Sequence, residues 1–477
     1  YGSHSDFQQT NTTWQLLPEG VQAFAEPSRR RMVLHFSGSN PDFSHTAIHE
    51  LVHIFEFDII YGNLLRSVFS RNLLYPVPLW FAEGIAEYYS IGGMDDECEM
   101  FMRDGIVFDY LPYDLAYAGG YMNYKAGQSA IDYISRTYGT EKVRELMDQM
   151  RYQRSLEIVL ESTIGLTTSE LTRDWKKDLR KRYWPVYADK KEPEYYARKI
   201  TDHVKKHHYM NSKPAFSPDG EFLVYYSDKE GLESIFLMNA LTGEVKENLL
   251  TGSKSGEFEY IRTMKSSLTW DPEGERIAFV AKSDGRDKLF IMAVPGGRIE
   301  KKIELPLDFF FNPAWSPDGT RIALVGTVRG QTDIYTYDIS REALLRITDD
   351  IEDEKYPAWF PDSRRIAYTR YPQVAAQPGF VTEEDGVARL QEIDFTSTEN
   401  LLEVTGDIWS IDLDSGIKSV LISTPGNDES PVITNSGEEI IFTSDETGAS
   451  NLYRGSLAVK SYYRFTDILG GIFNPSY

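Results

Sequence analysis

Two histidines and a glutamate near the amino terminus are the residues best suited to chemistry. Residues 49–53 have the sequence HELVH, an H-E-x-x-H pattern, within a run from 44 to about 60 that predicts a helix. Because positions i and i+4 lie on one face of a helix, His49 and His53 could bind one metal ion. Glu50 could then act as a base on a water at that ion, the chemistry of zinc hydrolases. The alternative is a partly buried helix with two unrelated histidines.

A catalytic zinc site needs a third protein ligand and keeps one position for water. The extended pattern H-E-x-x-H-x-x-G-x-x-H is absent, because Glu56 and Ile59 stand at its glycine and histidine positions. Glu83 lies 30 residues beyond His53 and could supply the ligand from a second helix. Residues 64–75 would form the connection between the two helices.

The segment from Trp80 to Tyr88, WFAEGIAEY, resembles the W-x-x-E-G-x-A-x-Y signature of gluzincin metallopeptidases within the peptidase MA group. Pro78 would occupy the first turn of its helix. The resemblance implies a mainly α (α+β), thermolysin-like domain in which Glu83 is the third zinc ligand. It also implies that Glu87 accepts the second ring proton of a ligating histidine. The alternative for Glu87 is a solvated glutamate on the helix surface.

Neighbouring segments could complete a peptidase cleft. Residues 31–36 predict a strand, and the corresponding edge strand of gluzincins pairs with extended substrate; an ordinary sheet strand is the alternative. Tyr121 and Tyr124 could stabilise an oxyanion, although a packing role is the alternative for each. The G-x-M-E-N motif of aminopeptidase N-like families is absent, so exopeptidase action has no support. Helical patterns continue over 121–138, 141–150 and 168–183, the last with an apolar stripe at 171, 175, 179 and 183.

The second half of the chain contains a repeat. Five units share a strand, a Pro-Asp-Gly-like turn and a second strand, with equivalent turn positions at 218, 272, 317, 361 and 435. Their spacings of 54, 45, 44 and 74 are typical of β-propeller blades. The aspartates and glycines are explained by the turn rather than by metal binding. The phrase PAWSPDG at 313–319 resembles the TolB-like family of propellers, over about 213–477.

The repeat is irregular towards its end. The spacing of 74 contains an acidic insert at about 371–402, predicted to form a loop or an extra hairpin of the fourth blade. The final residues 473–477, FNPSY, match FNPAW at 311–315. We therefore expect six blades, the last incomplete in this chain, and a longer or processed polypeptide.

Composition limits the setting. A net charge of −23 argues against nucleic acid and against a strongly anionic membrane surface as partners. The sequence contains no run of 18 apolar residues, so it predicts no transmembrane helix. Cys98 is the only cysteine, which excludes an internal disulfide and is compatible with cytoplasm or periplasm. The TolB-like resemblance favours an extracytoplasmic location, in the bacterial periplasm or secreted.

The sequence as a whole predicts a multidomain protein. A metallopeptidase domain over 1–185 would be followed by a linker over 186–212, which carries His203, His207 and His208, and by an all-β propeller over 213–477. We expect a Zn²⁺-dependent peptidase acting on a peptide or unfolded protein, with the propeller restricting access or docking a protein partner. The alternative is a non-catalytic scaffold that binds proteins through the propeller and has a structural or inactive metallopeptidase-like domain. A third possibility is hydrolysis of a bond other than a peptide bond.

Overall fold

A computed structural model describes the protein over most of its length. The described residues are 1–10, 17, 20–26, 31–62, 77–202, 205, 208, 210–252, 258–372, 381–384, 387–390 and 405–477. The predicted connection 64–75, His203, His207 and much of the acidic insert lie outside them. Within the described residues, a helical amino-terminal region is followed by a β-propeller of five blades.

The helical region contains nine α-helices among the described residues. They are α1 His4–Gln8, α2 Asn40–Tyr61, α3 Leu79–Ile91, α4 Asp96–Val107, α5 Met122–Tyr138, α6 Thr140–Gln153, α7 Leu156–Ile164, α8 Thr168–Tyr187 and α9 Pro193–Tyr196, with a short 3₁₀ turn at Leu115–Tyr117. None of the helices described is both long and apolar enough to cross a membrane.

Local capping sets the starts of the two helices that carry the candidate site. Helix α2 begins at Asn40, four residues before the predicted start, because the Ser39 side chain accepts the Asp42 backbone N–H and a proline lies in the first turn. Pro78 is the residue before α3 rather than part of its first turn, which corrects the prediction by one position.

The helical core is built around α3, α5 and α8. The predicted apolar stripe of α8 is confirmed: Leu171, Trp175, Leu179 and Tyr183 are all buried. Burying one large apolar side chain stabilises a fold by about 1.5–3 kcal/mol, so this stripe holds α8 firmly against the other helices. The helices that carry the site therefore rest on a well-packed support.

A two-stranded antiparallel sheet lies beside α2. Strand β1 (Ala23–Glu26) pairs with strand β2 (Arg31–Leu34), so the predicted strand over 31–36 ends two residues early. Strand β1, rather than the predicted strand, brings a backbone N–H of Ala25 to Glu50. The strand nearest the candidate site is therefore β1, which comes before the predicted strand in the chain.

Each propeller blade is a four-stranded antiparallel sheet, except that the first strand of the second blade is split in two. The first blade contains β3 Asn211–Phe216, β4 Phe222–Ser227, β5 Ser234–Asn239 and β6 Val245–Thr251, and the second contains β7 Tyr260–Ile261, β8 Thr269–Trp270, β9 Arg276–Ser283, β10 Arg286–Ala293 and β11 Ile299–Ile303. The third contains β12 Phe309–Trp315, β13 Arg321–Val328, β14 Gln331–Asp338 and β15 Ala343–Arg346, and the fourth contains β16 Asp353–Trp359, β17 Arg365–Tyr371, β20 Asp407–Asp412 and β21 Lys418–Ile422. The fifth contains β22 Asp428–Ile433, β23 Glu439–Ser444, β24 Asn451–Ser456 and β25 Ser461–Arg464.

The predicted insert contains a hairpin between the second and third strands of the fourth blade. Its strands are β18 (Val381–Glu384) and β19 (Val387–Leu390), which pair in antiparallel register. The remaining residues of the insert, apart from those of β17 and Pro372, are outside the described part of the chain.

A bulge recurs in the first strand of four blades. Lys213, Asn312, Tyr356 and Ser430 each precede a proline, have φ between 50° and 57°, and lie where the pairing register shifts. Such bulges turn a strand locally and expose backbone next to a functional surface. Asn474 has a similar φ of 51°, although residues 473–477 form no strand.

The start of α2 is fixed to the propeller. The backbone N–H of Asn40 donates to Asp353 Oδ2 at 2.6 Å, and its side-chain amide donates to Oδ1 at 3.1 Å. Lys355 Nζ lies 3.2 Å from Asp42 Oδ2. The helix that carries the H-E-x-x-H pattern therefore begins at the propeller surface and leads away from it.

Candidate metal centre

Helices α2 and α3 bring three potential metal ligands together. Glu83 Oε2 lies 3.2 Å from His49 Nε2 and 3.2 Å from His53 Nε2. The three ligand atoms all lie within 4.8 Å of one another, and both histidines are buried. The histidines come from one face of α2, and α3 supplies the glutamate across the helix contact.

This geometry fits a zinc ion. Nitrogen and oxygen ligands at 2.0–2.2 Å from a tetrahedral zinc are roughly 3.3 Å apart, close to the two distances from Glu83. Buried Glu50 Oε2 has no hydrogen-bond partner among the described residues, although it lies beside this set. An unpartnered buried carboxylate oxygen is costly unless a further group joins it, so the donor set and Glu50 together suit a metal and its water.

The charges of the three ligands are strongly coupled. Burial works to raise the pKa of Glu83, whereas hydrogen bonds from His49 and His53 bring it down to about 2. Burial works to lower the pKa of His53, but its hydrogen bonds with Glu56 and Glu83 raise it to about 10. Burial works to lower the pKa of His49, but hydrogen bonds with Glu83 and Glu87 raise it. The shared carboxylate and the two imidazoles thus hold the cluster together without a metal, and a metal would displace a proton from a nitrogen that it binds.

Each histidine has a second carboxylate on its other ring nitrogen. His49 Nδ1 lies 3.0 Å from Glu87 Oε1, and His53 Nδ1 lies 3.1 Å from Glu56 Oε2. Glu56 and Glu87 are 1 % and 5 % exposed, so neither is a solvated surface residue. Such carboxylates fix the orientation and tautomer of histidines that bind metals.

Glu87 is itself held by a buried lysine. Lys125 Nζ lies 3.1 Å from Glu87 Oε2 and 3.0 Å from Glu97 Oε2. Burial works to lower the pKa of Lys125, but the surrounding carboxylates of Glu97, Asp95 and Glu87 raise it well above its usual range. The ammonium is therefore charged and anchors Glu87 against His49.

Glu50 has the surroundings expected of a general base. It is 7 % exposed, and burial raises the pKa of its carboxyl above the usual range, against the opposing effect of His53 and His49. A raised pKa brings a carboxylate closer to the pH at which it both accepts and returns a proton. Its position one residue after His49 places it beside the ligand set.

The two candidate tyrosines lie at different depths. The Tyr124 ring stacks on His49 with centroids 5.9 Å apart, whereas Tyr121 stacks on Tyr124 at 6.2 Å. Burial raises the pKa of Tyr124, as do Glu83 and Glu50, so its hydroxyl stays protonated and can donate. Tyr121 is 47 % exposed, and its ring stacks on Tyr124 rather than on a ligand. Tyr124 is the better placed of the pair.

A second cluster adjoins the first. His45, His49 and Glu87 also bring ligand atoms within 4.8 Å of one another, and His45 Nε2 lies 3.6 Å from Glu87 Oε1. The Lys125 ammonium on the same carboxylate would repel a cation there. The cluster formed by His49, His53 and Glu83 is therefore the better metal site among the described residues.

Sequence reasoning missed several of these side chains. Glu56 was considered only as a failed glycine position, although its spacing of i+3 from His53 places both on one helix face. His45 lies one turn before His49, so its spacing also places it on the helix face of the ligands. Lys125 carried no local signal, because it reaches Glu87 from a helix 38 residues further along the chain.

Comparisons with known proteins concern the propeller. The family described as "TolB beta propeller domain" matches residues 259–389, which supports a TolB-like β-propeller in this part of the chain. No curated protein shows significant similarity to the chain.

Three solved structures illustrate the similarity. TolB from Acinetobacter baumannii has a TM-score of 0.43 and 18 % identity, over 56 % of this chain and 57 % of that chain. A putative TolB from Agrobacterium tumefaciens has a TM-score of 0.33 and 21 % identity, over 46 % of this chain and 65 % of that chain. An acylaminoacyl peptidase in complex with Z-Gly-Gly-Phe-chloromethyl ketone has a TM-score of 0.36 and 16 % identity, over 56 % of this chain and 40 % of that chain. The match spans less than two thirds of each of these structures.

Proposed function

We propose that the helical region is a gluzincin-type, thermolysin-like zinc peptidase that hydrolyses peptides or unfolded protein segments. The observation that carries this proposal is that Glu83 Oε2 lies 3.2 Å from the Nε2 atoms of both His49 and His53, beside the unpartnered Oε2 of Glu50. His49, His53 and Glu83 would hold the zinc. When bound, the zinc would supply Lewis-acid activation of a water and of the substrate carbonyl.

The residues of the chain have distinct parts in the proposed reaction. Glu50 accepts a proton from the attacking water and delivers it to the leaving amine nitrogen. Tyr124 donates its hydroxyl hydrogen to the oxygen on which negative charge develops. The free edge of β1 near Ala25 binds extended substrate by backbone pairing. Glu56 and Glu87 keep the two imidazoles in the orientation that the ligand set requires.

The propeller has a supporting part in this proposal. It restricts access to the site or docks a protein partner, and its ring is completed as six blades, with 473–477 opening the sixth. The positive φ of Asn474 and the place of its neighbours at the propeller axis support that view. An extracytoplasmic location, periplasmic or secreted, accords with the TolB-like propeller.

A non-catalytic scaffold is the competing function. It is favoured by one observation: each ligand side chain already has an ionic partner, so the cluster is stable as a network without metal. A structural cluster of this kind would leave the propeller as the working part, used for binding protein partners.

Zinc stoichiometry separates the two functions. The purified protein, dialysed after incubation with zinc, should retain one zinc per chain, whereas Glu83→Gln should retain much less. Glu99→Gln is the matched control, because Glu99 contacts Arg182 and Tyr183 far from the ligand set. A parent protein that retains no zinc would favour the scaffold.

A further inference from the structure

Two cavities that share lining residues lie at the propeller axis and between the propeller and the helical region. The first, the axial channel, has a volume of about 420 Å³ and is lined by the first strands of all five blades, including Pro214, Trp270, Pro313, Pro357 and Pro431. It extends to the turn positions Pro218, Pro272, Pro317 and Asn435, at the end of the strands away from the helical region. The channel therefore follows the first strands from their bulges to the turns that end them.

The second cavity lies between the propeller and the helical region. This interdomain cavity has a volume of about 430 Å³. Gln22, His45 and Tyr121 line it from the helical region, and Lys265 is among the propeller residues that face them. Both parts of the chain contribute to the lining of this chamber, which includes charged side chains such as Asp42 and Lys265.

The bulge residues form the junction of the two cavities. Lys213, Asn312 and Tyr356 line both the axial channel and the interdomain cavity. Their positive φ values, 50°, 51° and 57°, belong to the recurrent bulge of the first strands. The three bulge residues are therefore part of the lining common to both cavities, where the channel and the chamber adjoin.

Two elements lead from the interdomain cavity to the ligand set. His45 precedes His49 by one turn of α2, so the chamber lies along the helix that carries the ligands. Gln22 directly precedes β1, and Ala25 of that strand meets Glu50. Three residues of extended strand span about 10 Å, so a substrate paired with β1 would have one end in the chamber.

We propose that the substrate of this site is an unfolded polypeptide segment or chain end that reaches the helical region along the propeller axis. The inference rests on the proposed peptidase function. Cavities of this size accept a few residues of extended chain and exclude a folded domain. The first strands, which line the channel, are edge strands of their sheets. The docking of Asn40 on Asp353 keeps chamber and channel aligned.

A removable plug at the far mouth of the channel tests this route. Asn435 is exposed and lines the channel, so Asn435→Cys can carry a bulky polymer through a disulfide that reductant cleaves. Cys98 is fully buried and should not react. Ser461→Cys, on the exposed outermost strand of the same blade, is the matched control.

The readout is cleavage of an unstructured peptide of about 20 residues, long enough to extend through both cavities. The adduct at position 435 should lose cleavage by about tenfold or more and regain it with reductant, and the adduct at position 461 should stay within about twofold of the parent. Full activity of the adduct at position 435 would overturn the route and leave the peptidase proposal intact.

Photocrosslinking gives a readout that does not depend on turnover. The Glu50→Gln protein is irradiated with the same peptide carrying a photoreactive residue, and adducts are mapped by mass spectrometry. The expected adducts lie on first strands, at 213–218 and 312–317, and near Thr46. Adducts confined to the exposed side of α2, at Leu51 and Phe55, would overturn the route. Channel adducts without any cleavage by the parent would support the route and contradict the peptidase.

Discussion

At the scale of single residues, the ligand types follow from the sequence but their supports do not. The H-E-x-x-H spacing and the later Glu83 predicted a set of side chains that the structure brings together, with Glu83 3.2 Å from each histidine. The pairing of His53 with Glu56 is not part of the H-E-x-x-H pattern, and only the i+3 spacing of the two residues indicates it. Tyr121 and Tyr124 could not be ranked, because residues three apart share a helix face and their depth depends on packing.

Glu56 should matter for metal affinity more than for the fold. In Glu56→Gln, His53 loses the carboxylate partner of its Nδ1, and the site is buried, because Glu56 is only 1 % exposed. We expect a loss of about 10–100-fold in zinc affinity, measured by competition with a chromogenic chelator. Glu145→Gln is a control, because Glu145 pairs only with Lys142 on the surface of α6. Equal affinity of Glu56→Gln and the parent would contradict a positioning role.

Tyr124 should contribute to turnover through its hydroxyl. Tyr124→Phe keeps the ring stacked on His49 and removes only the donor, so kcat should fall by about 10²–10³-fold with little change in zinc content. Tyr121→Phe, one ring further from the ligands, should change kcat by less than about threefold. If both variants behave alike in steady-state kinetics, the assignment of Tyr124 to the oxyanion is wrong.

At the scale of elements, the helix contact between α3 and α5 decides the site geometry. A Cβ added to Gly84 would lie 2.4 Å from the backbone carbon of Gly127, and one added to Gly127 would lie 2.2 Å from the carbonyl oxygen of Trp80. The two backbones can approach this closely only because neither residue has a side chain. This contact holds Glu83 on α3 and Tyr124 on α5 at the same site.

The sequence predicted both helices but not why a glycine follows Glu83. The reason is the glycine at position 127, 43 residues later, and no local pattern links the two. In the propeller, by contrast, the repeat alone predicted the strands and turns, because each blade repeats the same local signals. The split first strand of the second blade accompanies its longer spacing of 54 residues, an irregularity that the regular units did not anticipate.

Gly127→Ala should disturb the site through this contact. The added methyl group must push α3 and α5 apart, which should lower the free energy of unfolding by about 1–3 kcal/mol. It should also weaken zinc binding, because Glu83 moves with α3. Gly119→Ala is the matched control, since a Cβ there meets nothing within 4 Å and its φ is not positive. Denaturant unfolding that does not distinguish the two variants would contradict the close contact.

At the scale of the whole molecule, the propeller supports the helix that carries the candidate site. Asp353 opens the first strand of the fourth blade and accepts two hydrogen bonds from Asn40 at the start of α2. The sequence predicted both domains separately, but it held no sign of this docking, which joins residues 313 positions apart. The relation of the channel to the ligand set follows from that docking.

Asp353→Ala should loosen the start of α2. The Asn40 N–H loses its acceptor, so amide hydrogen exchange over 38–44 should become faster, with a stability loss of about 1–3 kcal/mol. Asp362→Ala is the control, because Asp362 accepts backbone N–H groups of its own turn in the same blade. Exchange mass spectrometry should show a change at α2 in the first variant and none in the second. Unchanged exchange at α2 in both would contradict the docking contact.

The measurement that tests the central claim most directly is cleavage of a mixed peptide library by the purified, zinc-loaded protein beside its Glu50→Gln variant. Both proteins should hold one zinc per chain, since Glu50 is not a ligand. The account predicts that the parent cleaves and that the variant, with the same zinc content, does not. Cleavage by the Glu50→Gln variant would contradict the proposed peptidase. A zinc-loaded parent protein that cleaves no peptide would contradict it as well.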